Sequence, residues 1–396
     1  MAVSMLRSLA AVSLAVAAAA AGLCANDTCA AADATSLLQK LEAGRNSMWK
    51  ASFRLTPPKI RDGAVDEGSF EGCPTWEGAG CPHSGDRPVA AVYIVGTKKR
   101  LTLASTLQHV VRRMVDDGFD VRVYMSLVFN ASGTGVWLSV KKNLREDPAT
   151  AALDRDGLRR HLKEVVRAAG ACLACADLPL TQMRGPPIPI YKNQITGFFA
   201  HGRESGYQTF KRLLDWWGRR EQLWQAMLQH ERASGRMHEV VMWTRDTSIW
   251  MGDMPRPSQL LQAPGWDRTV MSKKCGASFG INDRVVILGR RAAPALFTLY
   301  SAYMGGGFPD YRTMNSESFV MGAAKHAKTT LLRNSTSFEV IPESNGMWVD
   351  TANGRSMCMV HGYWCGGDVT SYGLSFCPEP RDRPPLPATK PAPGGS

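Results

Sequence analysis

The chain has 396 residues, 44% of them hydrophobic and 21% charged, and a formal net charge of +12 at pH 7. No segment beyond the N-terminus approaches the ~20 apolar residues that span a bilayer, and no internal repeat is visible, so a multi-span membrane protein and a solenoid are both excluded. The positive charge suits phosphate-bearing cofactors or anionic glycans as readily as nucleic acid, and alone selects none of them.

Met1–Ala25 carries one positive charge, Arg7, and then an uncharged run from Leu9 to Leu23 dominated by Ala, Leu and Val. These are the n- and h-regions of a signal peptide. Small residues at Gly22, Ala25, Ala30 and Ala31 offer cleavage positions, and retention of the segment as a signal anchor is the alternative. Sequons at Asn26, Asn130 and Asn334 are glycosylation candidates that have meaning only in a secretory lumen. The compartment expected is therefore the secretory pathway, ER/Golgi lumen or extracellular. Nucleic acid is then not an expected partner, and a membrane is one only if the signal segment is retained.

Ten cysteines cluster as Cys73 with Cys81, Cys172 with Cys175, and Cys358, Cys365 and Cys377, with Cys24, Cys29 and Cys275 elsewhere. In an oxidising compartment they predict disulfides that pin loops and termini, with the pairing left open. Cys172-Leu-Ala-Cys175 lacks both a second CxxC for zinc and the strand-then-helix setting of a redox pair.

Asp33–Gly44 is a candidate short helix within a loop-rich segment, 26–87. The folded body spans 88–377. Val89–Val95 reads as a buried strand, Thr102–Asp117 as a helix and Asp120–Val128 as a second strand, a βαβ unit that implies a parallel sheet. Asp154–Ala169 is an amphipathic helix. In Ser205–Ser234, Phe210, Leu213, Leu214, Trp217, Trp224, Met227 and Leu228 recur at helical spacing, so the tryptophans read as core. Glu239–Trp243 and Val285–Leu288 are further strands, Ala293–Tyr303 and Ser316–Lys325 helices, and Phe338–Ile341 a last strand. Cys358–Cys377 reads as a disulfide-closed cap, and the Pro-rich 378–396 as a disordered tail. The fold class is α/β: a single Rossmann-like, mostly parallel sheet flanked by helices.

Chemistry concentrates at element ends. The strand Glu239–Trp243 runs into Arg245-Asp246, a cation and a carboxylate where an open α/β sheet holds ligands. Asp246 is a candidate ligand for Mn²⁺ or Mg²⁺ and Arg245 a phosphate clamp; the plain alternative is an Arg245–Asp246 surface pair. Asn282, Asp283 and Arg284 form a polar triplet just before a strand. Glu317 lies in the first turn of a helix behind a cap at Asn315 or Ser316, either supporting the cap or aimed at a sugar hydroxyl.

The turn Gly96-Thr97-Lys98, the Trp-rich helix, Thr244-Arg245-Asp246-Thr247-Ser248-Ile249-Trp250, the Asn282-Asp283-Arg284 box and Asn315-Ser316-Glu317 together resemble an algal and plant-type family of glycosyltransferase-like proteins with a GT-A-like fold, over residues 88–345. Thr247 stands where that family's motif has a second acidic residue. The resemblance implies a nucleotide-sugar donor and a glycan or glycoprotein acceptor. It implies Asp246 as metal and diphosphate ligand, Arg245 as phosphate contact, Asn282, Asp283 and Glu317 as sugar contacts, and Asp283 and Glu317 as the catalytic pair. Arg284 and the basic turn residues Lys98 and Arg100 join them as candidate cofactor contacts. That basic turn also resembles, more faintly, the phosphosulfate loop of Golgi sulfotransferases. A secreted, catalytically inactive binding domain of the same fold is the non-enzyme alternative.

Overall fold

The computed structural model describes residues 73, 80–81, 85–129, 148–180, 188–191, 193–196, 203–250, 252–273, 280–308, 310–334, 340–342, 346–351 and 354–359. All of them lie within one compact unit, Asp62–Ser396. The signal segment, Asp33–Gly44, Asn26, Asn130, most of the C-terminal cap and the tail fall outside the described residues.

Eleven strands are described: β1 Val89–Thr97, β2 Asp120–Val128, β3 Cys172–Asp177, β4 His238–Arg245, β5 Ser248–Trp250, β6 Thr269–Lys273, β7 Val285–Gly289, β8 Thr330–Asn334, β9 Val340–Pro342, β10 Gly346–Thr351 and β11 Gly354–Met359. Seven form the main sheet in the order β3-β2-β1-β4-β7-β6-β8. Pairing is parallel from β3 through β4 and between β6 and β8. It is antiparallel where β7 meets β4 and β6. The sheet is thus mostly parallel, as the βαβ pattern predicts, with one reversed strand. Asn334, a glycosylation candidate, is the last residue of β8.

Every residue of β1 is buried because both faces of the sheet are covered. Alternation then divides the side chains: Ala91, Tyr93 and Val95 pack under the long helix Arg203–Ser234 and the helices Ala293–Phe297, Leu299–Met304 and Ser316–His326. Ala90, Val92 and Ile94 pack on the other face, against Leu103, Val110 and Met114 of the first helix and Leu158, Leu162 and Val166 of the helix Arg155–Ala168. The first helix runs unbroken through Leu103–Thr106, Leu107–Arg112 and Arg113–Asp116, its middle stretch in π geometry. Trp217 and Trp224 are core, as their spacing predicts. Among the described residues no helix is long and apolar enough to cross a membrane.

The sequence pattern passes over β3, β5, β6, β8, β10 and β11, so the strand expected at Phe338–Ile341, described as β9, is not the last, and it reads Ala293–Tyr303 as one helix where the chain breaks at Thr298 into two. β3 carries the Cys172/Cys175 pair. Period-two alternation would send residues three apart to opposite faces. A bulge opposite Val123 and Tyr124 inserts Ala174, and both sulfurs reach the same face. Cys172 bonds to Cys81 and Cys175 to Cys73, so the N-terminal loop region is stapled to the sheet edge.

These two bonds span 102 and 91 residues, lengths at which cross-linking restricts the unfolded chain strongly. Replacing Cys81 and Cys172 by Ser is expected to lower the unfolding free energy by about 2–5 kcal/mol in urea. A non-reducing peptide map should recover Cys73–Cys175 and Cys81–Cys172; any other pairing, or an unchanged urea midpoint, would contradict the staple.

Candidate functional site

Strand order reverses about β1: β2 and β3 lie to one side and β4 to the other. The carboxyl ends of β1 and β4 therefore stand at the topological switch point, the place where doubly wound sheets bind ligands. Arg245 ends β4 and Asp246 follows it. β7 is antiparallel to β4, with Thr244 opposite Val285, so the residues that precede β7 arrive at the same end of the sheet. The Arg245 amide donates to the Arg284 carbonyl, which brings Asp283 beside Arg245.

Asp246 does not lie at the surface, as the plain alternative of a surface pair would require. Asp246 is 1% exposed, and its Oδ2 accepts from the Thr97 amide at 2.8 Å and from Arg100 Nη2 at 3.4 Å. Thr102 donates to the Asp246 carbonyl through both its amide and its hydroxyl. Gly96 makes this possible, because a Cβ there would lie 1.9 Å from the Asp246 Cγ. Arg245 donates a hydrogen bond to Asp283.

Asp283 and Glu317 meet through a second close approach. Gly280 abuts the Glu317 carbonyl so tightly that a Cβ would stand 1.9 Å from its oxygen, and the Ile281 amide donates to that oxygen at 3.0 Å. The helix Ser316–His326 is capped by Asn315 with Ser318 completing the capping box, so the Glu317 side chain is not the cap. It accepts from the Ser316 hydroxyl at 2.8 Å.

Electrostatics separate the two carboxyls. Burial alone would raise Asp283, but Arg245 and Arg284 outweigh it and hold the group below its ordinary range. Glu317 is pushed up to about 7 by burial and by Asp283 beside it. Two coupled carboxyls with their proton affinities driven apart are the arrangement of an acid/base pair. Arg245 is stabilised as a cation, against its burial, by Asp283, Glu317 and Asp246. The three acidic candidates thus gather about one guanidinium.

The remaining candidates divide. Asn282 accepts from the Arg284 amide at 3.0 Å and shapes the turn, while Arg284 lends its charge to Asp283. Lys98 donates to the carbonyls of Ala151 and Leu153 at 3.1 and 3.0 Å and lies over the Phe129 ring, which makes it a fastener of the segment after Pro148. Sequence reasoning missed Trp216 and Arg220. The half-buried Trp216 ring has the guanidinium of Arg100 at 5.5 Å and that of Arg245 at 5.0 Å from its centroid, while Arg220 is 4.0 Å from the Trp243 centroid. Helical spacing puts both on the stripe next to the core face, a signal present in the sequence but indistinguishable there from ordinary core edge.

A divalent ion is the expected companion of Asp246. Its Oδ2 is occupied by Thr97 and Arg100, and among the described residues no three His, Cys, Asp or Glu side chains gather as a metal-binding group. The guanidinium groups of Arg100 and Arg245 supply positive charge to Asp246.

No family model matches the chain, and no curated protein matches it. Solved structures similar to it include the apo form of the glycosyltransferase GlyE of Streptococcus pneumoniae TIGR4, at 10% identity and a TM-score of 0.26. That likeness covers 63% of this chain and 46% of that one. Another is apo mouse xyloside xylosyltransferase 1, at 8% identity and a TM-score of 0.25, covering 62% and 85%. At these values neither likeness carries weight for activity, and the α/β class rests on the sheet itself.

Because Glu317 binds its proton more tightly folded than unfolded, the native state holds more protons between pH 4.5 and about 7. Stability therefore falls as pH rises through that window, and Glu317→Gln should flatten the fall. Urea midpoints from pH 4.5 to 8 measure it, and identical slopes for both proteins would contradict the assignment. Gly96→Ala should push the Asp246 carboxylate off the Thr97 amide and destabilise the fold by ~2–4 kcal/mol, more than Asp246→Asn at ~1–3 kcal/mol. The reverse order in chemical denaturation would dissolve that contact's role.

Proposed function

We propose that the chain is a nucleotide-sugar-dependent glycosyltransferase of the secretory pathway, acting on a glycan or glycoprotein acceptor. The observation that carries the reading is the pairing, at the switch point of the sheet, of guanidinium groups stacked on Trp216 with the divided carboxyl pair Asp283 and Glu317. Arg100 and Arg245 receive the donor diphosphate, and their fixed positive charge offsets the charge that grows on the leaving nucleotide. Glu317, with a proton affinity near neutrality, takes the proton of the acceptor hydroxyl as it attacks the anomeric carbon. Asp283 stays ionised and orients Arg245. Disulfide staples and the N-terminal signal pattern support an extracytoplasmic setting. A divalent ion belongs to this reading only as an addition measured by its effect on binding.

A secreted binding domain of the same fold is the second reading, favoured by the enclosure of Asp246, the expected metal ligand. The sulfotransferase reading has lost Lys98, whose ammonium is held by main-chain carbonyls.

Isothermal titration with UDP and GDP, in EDTA and in Mn²⁺, tests the proposal. One of the two is expected to bind in EDTA, and Arg245→Ala to weaken it by about 10- to 100-fold, the loss of one charged contact. Binding by neither nucleotide under either condition overturns the nucleotide-sugar reading. Binding without turnover of any UDP- or GDP-sugar, by hydrolysis or transfer, selects the binding domain. Where turnover is found, kcat should rise with pH up to about 7 and the rise should vanish in Glu317→Gln.

A further inference from the structure

Ser316 places a hydroxyl between the two carboxyls, and the proposed reaction gives it no part. It is the first residue of the helix Ser316–His326 and is buried. Its backbone is fixed on both sides: Asn315 before it caps the helix through the Ser318 amide, and the Ile281 amide grips the Glu317 carbonyl after it. The Ser316 hydroxyl is 2.8 Å from Glu317 Oε2, and it also hydrogen-bonds to Asp283, where it helps to hold that carboxyl low.

A serine hydroxyl has a single proton to donate and can accept as well. With Asp283 and Glu317 both ionised, both are acceptors only, and that proton can serve just one of them. The other then loses a donor in a poorly solvated place, which is unfavourable. When Glu317 holds a proton the conflict disappears. Its O–H donates to the Ser316 oxygen and the Ser316 O–H turns to Asp283, so that all three groups are matched at once.

The charged groups acting on Glu317 are Asp283, which raises it, and Arg245, which lowers it; those acting on Asp283 are Arg245, Arg284 and Arg220. A hydroxyl that only donated to Glu317 would lower its proton affinity. Sharing one proton between two carboxyls reverses that sign. We propose that Ser316 is a positioning residue that lets Glu317 keep a proton beside ionised Asp283. In the transfer step the proton leaves the acceptor hydroxyl and forms the new O–H bond on Glu317. It goes no further, and Ser316 only turns its own O–H from Glu317 to Asp283. As a part in that step the inference rests on the nucleotide-sugar reading and deepens it, whereas the sharing of the proton is a property of the three side chains.

The test follows Glu317 through the pH dependence of urea midpoints, each protein being compared with its own Glu317→Gln counterpart. In the wild type the Glu317-dependent fall in stability is expected to end near pH 7. Ser316→Ala should end it about one pH unit lower, the size of one hydrogen bond, and Ser316→Thr, which keeps the hydroxyl, should restore it. A fall that stays at the wild-type pH in Ser316→Ala, whatever the overall loss of stability, assigns the side chain to packing and overturns the inference. A fall that moves to higher pH marks a plain donor to ionised Glu317 and overturns it as well. So does a wild type in which Glu317→Gln changes nothing. If Ser316→Ala does not fold, Ser316→Cys, with a weaker donor in nearly the same space, takes its place, and failure of both to fold overturns the inference. UDP and GDP titrations on the same proteins separate the two readings. The expected shift without nucleotide binding defeats the transferase reading and leaves the shared proton standing; nucleotide binding without the shift does the reverse.

Discussion

The Asp246 carboxylate, buried against Gly96 and accepting the Thr97 amide, is the contact on which the site depends. β1 and β4 already pair along their length, but their carboxyl ends must be held in register for a site of fixed shape. A carboxylate that is removed from water needs hydrogen bonds to repay its desolvation, and Thr97 and Arg100 supply them. The same contact holds Arg100 near the Trp216 ring, which Arg245, at the end of β4, also approaches. One buried acid thereby sets the spacing of two guanidinium groups.

Around that anchor the site is a dense mixture of opposite charges in a poorly solvated place. Asp283 is held below its ordinary range because the groups around it, Arg245 and Arg284 foremost, outweigh its burial, and Glu317 is driven up by its own burial and then by Asp283. The arrangement needs the antiparallel β7, which returns the Asn282-Asp283-Arg284 turn to the end of β4, and Gly280, which lets that turn press on the first residues of the helix Ser316–His326. Such close packing of like groups is unfavourable for folding, and the two long disulfide spans and the two-sided core are what the chain sets against it.

The disulfides show how a small irregularity controls a large connection. Ala174 is the extra residue of a bulge, and without it Cys172 and Cys175 would face opposite sides of β3. With it, both bonds fall on the face that carries the long helix, and they tie Cys73 and Cys81 to the edge strand β3.

The sequence by itself determined the elements whose hydrophobic pattern is strong and local. β1 and β2 are continuous apolar or alternating runs, and the long helix has its apolar residues three, four and seven apart, so each could bury its pattern in only one way. It also marked Arg245, Asp246, Asp283 and Glu317, because charged residues directly beside buried strands and helix starts are costly unless used. The tertiary structure alone decided their partners. Whether Asp246 pairs with its neighbour or with Thr97 depends on which strand lies beside β4, and the meeting of Asp283 with Glu317 depends on the reversal of β7; both are contacts between residues far apart in the chain. β3, β6 and β8 stayed hidden for a related reason: their short, partly polar segments become strands only because a neighbouring strand supplies their hydrogen bonds. Trp216 and Arg220 were likewise invisible as site residues, since helical periodicity tells which face is buried but not what that face is buried against.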